Sequence, residues 1–176
     1  MLETERLLLR QWHESDISEF ISMNKDPEVM RYFPKPLSDE ESKVLADKIS
    51  SHISDNGWGL WAVEVKGQDS FIGFVGLSPQ DLGFEWTPCI EIGWRLKRSA
   101  WNHGFATEAA IAVLDFGINN FGEIYSYTAA DNIPSQNVMK RIGMSERPEL
   151  FFDHPRVDDP RLKSHVVYSS RNDLNH

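Results

Sequence analysis

The stretch IEIGWRLKRSAWNHGFATE, residues 90–108, decides the fold. Its first residues include two isoleucines and a tryptophan, which is typical of a β-strand. Its last residues open a segment, 105–120, in which small apolar residues recur on one side at helical spacing. These are Ala106, Ala109, Ala110, Val113 and Leu114. The stretch therefore predicts a strand over 90–96, a turn and loop, and a helix, which is the unit of an α/β domain.

The remaining sequence extends this pattern on both sides. Apolar and β-branched runs predict further strands over residues 6–12, 60–65, 71–77, 124–129 and 165–169, with another near 150–152. The turn residues Lys66, Gly67, Gln68 and Asp69 predict a hairpin, and residues 79–88 are expected to form a loop. We therefore expect a mixed α/β domain with strand, helix, strand and helix in its second half.

Three more helices are expected. The first carries Ile17, Phe20, Ile21 and Met23 or Asn24 at helical spacing, with Ser15 or Asp16 as its cap. The second begins at Ser38, where Glu41 completes a capping box, and its apolar stripe is Val44, Leu45, Ile49 and Ile53. The third is capped by Asn132 and runs to Gly143, a residue typical of a helix C-terminus.

The loop before the helix at residue 105 carries positive charge in an acidic chain. The sequence has 18 basic and 27 acidic residues and a formal net charge of −9. Between residues 92 and 107 stand Arg95, Lys97 and Arg98 without an acidic residue, and His103 adds a fourth possible donor. A helix N-terminus favours phosphate, so the pattern predicts a site for a small anion. A solvated basic turn before an ordinary helix would have the same composition.

Composition and length exclude several classes of protein. A chain of 176 residues predicts one domain, residues 1–176. Its negative charge argues against nucleic acid or an anionic membrane as the main partner. The single Cys89 fits a reducing compartment, and the six histidines lack metal-ligand spacing, so we expect no metal. With no signal peptide and no long apolar run, a cytoplasmic location is expected.

The loop is neither a Walker motif nor a dinucleotide fingerprint, because the lysine-serine/threonine pair and the spaced glycines are missing. Residues 101–109 instead resemble the acyl-CoA pyrophosphate loop of the GNAT N-acetyltransferase superfamily, and residues 132–144 resemble a helix of its RimJ/RimL-like, ribosomal-protein branch. Residues 5–10 and 165–168 also fit this branch. The loop departs from the pattern at Asn102 and His103, where glycine and a basic residue are common.

The resemblance implies a fold and a cosubstrate. The expected fold is a single α/β domain whose central sheet is mixed, largely antiparallel and twisted, flanked by helices, and splayed at an acyl-CoA wedge between residues 90–96 and 124–129. Acetyl-CoA would lie in that wedge, and a backbone amide near Leu96 would polarise its thioester carbonyl. The implied cofactor-binding residues are Leu96, Lys97, Arg98, Trp101, Asn102, His103, Gly104, Phe105, Ala106, Thr107, Asn132, Ser135 and Asn137.

The resemblance also implies direct transfer of an acetyl group to a primary amine, for which a base must accept a proton. Glu91 is the first candidate base, although strand alternation could equally place it on the surface. Tyr168 is the leading candidate for the acid that protonates the thiolate, although a role in core packing is equally compatible. Ser135 is the second candidate acid, and its hydroxyl could instead have only a structural role as a polar group in the first turn of the helix. Cys89 is expected to be inert.

The acceptor stays open at this point. A protein N-terminal amine and a small-molecule amine are both compatible with the sequence, as are a monomer and a homodimer. Residues that could line the acceptor cleft are Trp12, Tyr32, Phe84, Trp86, His154 and His165, and an acidic loop with Asp153, Asp158 and Asp159 could attract a cationic amine. The alternative function is an acyl-CoA-binding sensor or interaction module without transfer activity.

Overall fold

A computed structural model describes residues 1–68 and 70–171 of the chain, so Asp69 of the expected hairpin turn lies outside the described residues. The strands are β1 (Leu2–Glu3), β2 (Leu7–Arg10), β3 (Leu60–Val65), β4 (Ser70–Gln80), β5 (Cys89–Leu96), β6 (Ile124–Ala129), β7 (Ser145–Glu146), β8 (Phe152–Asp153) and β9 (Ser164–Ser169). The helices are α1 (Asp16–Lys25), α2 (Asp39–Asn56), α3 (Phe105–Phe121), α4 (Ile133–Arg141) and α5 (Pro160–Lys163).

Within the described residues the strands form one sheet in the order β1-β2-β3-β4-β5-β6-β9-β7, with β8 paired to β9. All strand pairs are antiparallel except β5 and β6, which run parallel. This arrangement confirms the predicted mixed, largely antiparallel sheet of a single α/β domain. Among these residues no helix is long and apolar enough to cross a membrane.

The helices cover the two faces of the sheet. On one face the ring of Phe20 in α1 packs 6.2 Å from that of Phe74 in β4. On the other face Phe116 of α3 packs 5.4 Å from Trp61 of β3. Side chains alternate between faces along a strand, so each residue of β5 points either toward α1 or toward α3. This alternation decides which side chains of β5 lie together on the same face of the sheet.

The predicted capping box at the start of α2 is confirmed. The Ser38 hydroxyl accepts a hydrogen bond from the Glu41 backbone N–H at 3.1 Å, and the Glu41 carboxylate accepts from the Ser38 N–H. The predicted apolar stripe is wrong at Val44, which is 59% exposed. The buried face consists of Ser42, Ala46, Ile49 and Ile53.

The start of α1 differs from the expectation. Ser15 occupies the cap position without a side-chain hydrogen bond to the helix. The Asp16 carboxylate is buried and accepts two hydrogen bonds from the Arg10 guanidinium, at 2.8 and 3.0 Å. Asp16 therefore joins the helix to the sheet through an ion pair.

Several element ends differ from the sequence prediction by a few residues. The first predicted strand, 6–12, is confined to β2, and β4 continues to Gln80, so the following loop starts later than residue 79. Helix α4 stops at Arg141, and Gly143 adopts a φ of 89°, as expected for a glycine after a helix. Residues 148–150 form a short 3-10 helix, and the strand predicted near them is β8.

The sheet opens between its two parallel strands. β5 and β6 pair only at Ile90 with Ile124 and at Glu91 with Tyr125. Beyond these pairs the Ser126 hydroxyl donates to the Ile92 carbonyl at 2.9 Å, in place of a backbone hydrogen bond. From there the two strands no longer pair with each other, so the predicted wedge is present.

Candidate active site

A cavity of about 900 Å³ lies where β5 and β6 separate. Both strands line it, together with the loop before α3 and the first turn of α4. Residues from β3, β4 and β9, from the segment between α1 and α2 and from the segment after β8 also line it. The cavity thus joins the wedge between the strands to a cleft on the α1 side of the sheet.

Backbone amides of β5 point into the wedge. The Lys97 N–H donates to the Ile72 carbonyl at 2.8 Å, so Lys97 bonds toward β4. Because hydrogen-bonding directions alternate along a strand, Gly93 and Arg95 also bond toward β4, whereas Trp94 and Leu96 face β6. Pairing with β6 has ended before these two residues. Their N–H groups are therefore available to a ligand in the wedge.

The loop before α3 has the conformation that an anion site needs. Asn102 and Gly104 both adopt left-handed backbone conformations, with φ of 63° and 76°. Asparagine tolerates this region better than other non-glycine residues, which explains why it can replace the expected glycine. Gly104 caps α3 without a side chain, so the first N–H groups of the helix are open to a ligand. The Trp101 indole donates to the Leu96 carbonyl at 2.9 Å and fixes the loop against β5.

A contact that sequence analysis missed anchors the first turn of α3 to the N-terminal segment. The Glu108 carboxylate accepts hydrogen bonds from the Thr4 hydroxyl and from the backbone and side chain of Arg6, at 2.7 to 2.8 Å. The Arg6 guanidinium also lies 4.6 Å from the centre of the Phe105 ring. These partners are about a hundred positions apart in sequence, so local patterns could not reveal them.

The basic turn does not present all its charges to the cavity. Lys97 pairs with Glu19 at 3.4 Å, and Arg98 makes a two-pronged ion pair with Asp26 at 2.6 and 2.9 Å. Both acidic partners belong to or directly follow α1, and neither basic side chain lines the cavity. This corrects the expectation that Lys97 and Arg98 hold the cosubstrate, since their charges are already compensated.

Most of the other predicted loop residues line the cavity, and one does not. The cavity is lined by Leu96, Trp101, Asn102, Gly104, Phe105, Ala106 and Thr107. His103 is not among the lining residues, and its exposed ring stacks on Phe105 at 5.4 Å. The expectation that His103 donates to the cosubstrate is therefore corrected for its side chain.

The first turn of α4 brings three predicted residues to the cavity. Asn132 caps the helix as predicted, since its side-chain oxygen accepts from the Ser135 N–H at 3.3 Å. Its amide nitrogen donates to the Thr128 hydroxyl at 2.9 Å, so part of its hydrogen-bonding capacity is already used. Ser135 and Asn137 also line the cavity.

Glu91 lies at the point where the strands separate and lines the cavity on the α1 side. Burial raises the pKa of its carboxyl group to about 8, although hydrogen bonds from Tyr127 and Gln80 act in the opposite direction. This position corrects the alternative of a simple surface carboxylate. Gln80 was missed in the sequence because β4 was expected to end before it, and Tyr127 was missed because it lies on β6, a different strand from Glu91.

Tyr168 lies elsewhere. It is 1% exposed, and its hydroxyl donates to the Gln136 side chain at 3.3 Å on the α4 side of the sheet. It does not line the cavity. The expectation that Tyr168 protonates the leaving thiolate is therefore corrected, because its phenol is buried in the core and does not line the cavity. Of the two predicted acids, Ser135 alone lines the cavity.

The acceptor side of the cavity contains some of the expected aromatic residues. Tyr32, His154 and His165 line it, and the two histidine rings lie 4.9 Å apart. Burial lowers the pKa of both histidines, which favours their neutral forms. Trp12 is instead in the core against Phe20, which corrects its expected role.

Phe84 and Trp86 pack beside the cavity without lining it. Their rings contact Phe152, at 5.1 and 5.8 Å, so they support the cavity from outside.

The acidic loop and the cysteine take no part in the cavity. Asp153, Asp158 and Asp159 do not line it, and Asp159 pairs with Arg161. The expected attraction of a cationic amine by this loop is thus not supported by its position. Burial raises the pKa of the Cys89 thiol to about 12, which leaves it unreactive. Among the described residues no group of three His, Cys, Asp or Glu could hold a metal ion.

Comparison with known proteins gives consistent matches. The family model described as "Acetyltransferase (GNAT) domain" matches residues 6–145. The uncharacterized protein YkkB of Bacillus subtilis is 31% identical over 146 residues, which is 81% of this chain and 84% of that protein. The uncharacterized N-acetyltransferase YnaD of the same species is 30% identical over 154 residues, with 86% and 85% of the two chains covered.

Solved structures share the fold. A GNAT-family acetyltransferase from Bacillus anthracis superposes with a TM-score of 0.77 at 24% identity, covering 96% of both chains. A Vibrio cholerae spermidine N-acetyltransferase in complex with CoA and spermine gives 0.70 at 21% identity, covering 93% and 94%. RimL, a ribosomal L7/L12 α-N-protein acetyltransferase in complex with CoA, gives 0.71 at 14% identity, covering 94% of both.

Glu91→Gln should stabilise the protein at high pH. The pKa of Glu91 rises from 4.5 in the unfolded reference to about 8 in the folded protein. The folded state therefore binds the proton more tightly, and the stability this contributes is lost as the pH rises from about 4.5 toward 8. Urea unfolding should show the variant more stable than wild type at about pH 9 and equal near pH 4. A difference that does not change with pH would contradict this, and Glu14→Gln, an exposed site, is the control.

Gly104→Val should weaken acetyl-CoA binding at least tenfold, which corresponds to about 1.4 kcal/mol. The φ of 76° at Gly104 strains any β-branched residue, so the loop must change its conformation. Gly57→Val is a matched control, since Gly57 has a φ of 77° and lies outside the cavity lining. Calorimetry should give an unchanged dissociation constant for the control. Wild-type affinity for acetyl-CoA in Gly104→Val, as in the control, would rule out the loop as the binding site.

Proposed function

Because the chain belongs to the acetyltransferase (GNAT) family, we propose that it transfers an acetyl group from acetyl-CoA to a primary amine by direct attack within a ternary complex. One observation carries this proposal. A desolvated carboxylate, Glu91, stands at the vertex of the wedge, where a cosubstrate from one side and an acceptor from the other would meet.

The residues present fit acetyl-CoA. The free N–H groups of Trp94 and Leu96 are donors for the amide groups of the pantetheine arm or for the thioester oxygen as it gains negative charge. The open N-terminus of α3 suits a pyrophosphate. Acetyl-CoA supplies an activated thioester and a thiolate leaving group. No covalent bond to the enzyme is needed.

Glu91 would accept the proton that the amine loses, directly or through a water molecule. A base works best when its pKa lies near the working pH, and the pKa of Glu91, about 8, meets this condition. Hydrogen bonds from Tyr127 and Gln80 hold the carboxylate in place. The Ser135 hydroxyl, which also lines the cavity, is our candidate for returning a proton to the thiolate.

The acceptor can be either a protein N-terminal amine or a small molecule. The two CoA-bound neighbours act on different acceptors by their names, one on spermidine and one on a ribosomal protein. Assignment to the RimJ/RimL-like branch rests on residues 5–10, 101–109, 132–144 and 165–168 and stays a prediction, as do a cytoplasmic location and the choice between monomer and homodimer. No observation favours a sensor without transfer activity.

Glu91→Gln should lower kcat by about a hundredfold or more, because general bases contribute roughly 10²–10⁴-fold. The dissociation constant for acetyl-CoA should stay within about twofold. In wild type kcat/KM should fall as the pH drops through about 8, since the carboxylate must be ionised. In the variant, the pH dependence of kcat/KM should lack the ionisation of Glu91 and show only that of the acceptor amine.

The measurement is thiol release from acetyl-CoA with a panel of primary amines between about pH 6 and 9.5. Glu14→Gln controls for a change in surface charge. A Glu91→Gln enzyme with wild-type kcat and an unchanged pH profile would remove Glu91 from the mechanism.

A further inference from the structure

Among the described residues, the Arg95 guanidinium in the cavity has no anionic partner and has a buried nitrogen without a hydrogen bond. Arg95 donates from Nη1 to the Asn24 side-chain oxygen at 2.8 Å, and its Nε is buried without a hydrogen-bond partner. No acidic side chain among residues 1–68 and 70–171 forms an ion pair with it. The neighbouring Lys97 and Arg98, in contrast, each have a carboxylate partner.

The surroundings of Arg95 make this isolation costly. The guanidinium lies between two rings, 4.4 Å from the centre of Phe33 and 5.3 Å from that of Phe74. Burial lowers its pKa to about 10, so it is still charged at neutral pH. Buried charges in proteins are normally paired, because removal from water is unfavourable. A cation that is largely removed from water, lines a cavity and lacks an anionic partner can therefore bind an anion from outside.

We propose that Arg95 binds an anionic group, a carboxylate or a phosphate, that the amine acceptor carries in addition to its amine. This inference rests on the proposed acetyl transfer and names the class of acceptor. It makes Arg95 a residue that determines specificity, with Asn24, Phe33 and Phe74 holding the guanidinium in position.

The spacing along β5 fits such an acceptor. Every second residue of a strand points to the same face of the sheet. Glu91, Gly93 and Arg95 therefore share one face, the face toward α1. At about 3.3 Å per residue, the Cα atom of Gly93 lies about 7 Å from that of each charged residue. No atom lies within 4 Å of the position that a Cβ of Gly93 would take. An acceptor can therefore lie over Gly93 with its amine toward Glu91 and its anionic group toward Arg95.

The charge of the cavity lining supports the same class. Four arginines line the cavity, Arg31, Arg95, Arg141 and Arg156, against two glutamates, Glu28 and Glu91. This excess of positive charge in a chain of net charge −9 disfavours a polycation as acceptor. The contacts of Arg95 belong to α1, β4 and the segment after α1, not to the loop before α3. Its position thus favours the acceptor over the phosphates of the cosubstrate.

The test compares matched acceptors that differ only in the anionic group. These are leucine and leucinamide, glycyl-leucine and glycyl-leucinamide, and O-phosphoethanolamine and ethanolamine, with spermidine as a polycation. Wild type should prefer at least one anionic member over its partner by about tenfold or more in kcat/KM, as a charged hydrogen bond implies. The pair in which the anionic member is preferred shows whether Arg95 binds a carboxylate or a phosphate. Arg95→Gln should abolish the preference by raising KM for the anionic member, with its neutral partner within about twofold.

Two further variants sharpen the comparison. Asn24→Asp places a carboxylate against Arg95 inside the protein, with the Ser42 hydroxyl still beside it, and should suppress the same preference. Arg161→Gln removes an arginine outside the cavity and should leave the preference unchanged. A preference for the neutral or cationic members in wild type would overturn the inference. So would equal losses for both members of a pair in Arg95→Gln, or a loss of acetyl-CoA affinity in that variant.

A binding measurement separates this inference from the proposed function. Calorimetry with CoA-saturated protein compares N-acetylleucine with its amide and N-acetyl-O-phosphoethanolamine with N-acetylethanolamine. Binding of an anionic member alone, lost in Arg95→Gln, supports the anion site even if no acceptor of the panel is acetylated. Absence of binding by both anionic probes at millimolar concentration overturns it. Absence of acetyl-CoA binding by wild type instead refutes the proposed transfer.

Discussion

The end of hydrogen bonding between β5 and β6 is the constraint on which the rest of the site depends. After the pair Glu91 and Tyr125 the two parallel strands separate, and a serine hydroxyl replaces the next backbone contact. Unpaired backbone groups inside a protein are costly, so the gap is stable only if water or a ligand satisfies them. The same separation creates the cavity and places Glu91 at its vertex. In the proposed function, cosubstrate binding and catalysis both depend on this one interrupted strand pairing.

Much of this arrangement could be predicted from local sequence. The strand, loop and helix of residues 90–108, the capping box at Ser38 and the cap at Asn132 are set by neighbouring residues, and the structure confirms them. The left-handed conformation of Asn102 is a local property as well, since asparagine tolerates it better than other non-glycine residues.

Contacts between distant residues could not be predicted in this way. The partners of Lys97 and Arg98 are 78 and 72 positions away, so a basic cluster in the sequence became two compensated ion pairs and one isolated guanidinium. Alternation along β9 showed that Tyr168 and its neighbours face opposite sides, but not which side meets the cavity. The burial of Glu91 likewise depended on neighbours from other strands, among them Gln80 of β4 and Tyr127 of β6.

The two charged residues of β5 are affected by burial in the same way. Glu91 and Arg95 lie on the same face, and burial shifts the pKa of each toward the neutral form. Both shifts cost folding stability, and the arrangement is understandable if substrates restore part of what the protein has lost, an amine at one end and an anion at the other. Active sites commonly hold such perturbed groups.

Residue-resolved amide hydrogen exchange with and without acetyl-CoA tests the central claim most directly. The N–H groups of Trp94 and Leu96 should exchange at least about tenfold more slowly once the cosubstrate fills the wedge, because exchange follows loss of a hydrogen bond. Those of Gly93 and Arg95, which bond to β4, should change little and serve as internal controls. Unchanged exchange at Trp94 and Leu96 in protein saturated with acetyl-CoA would contradict binding between β5 and β6.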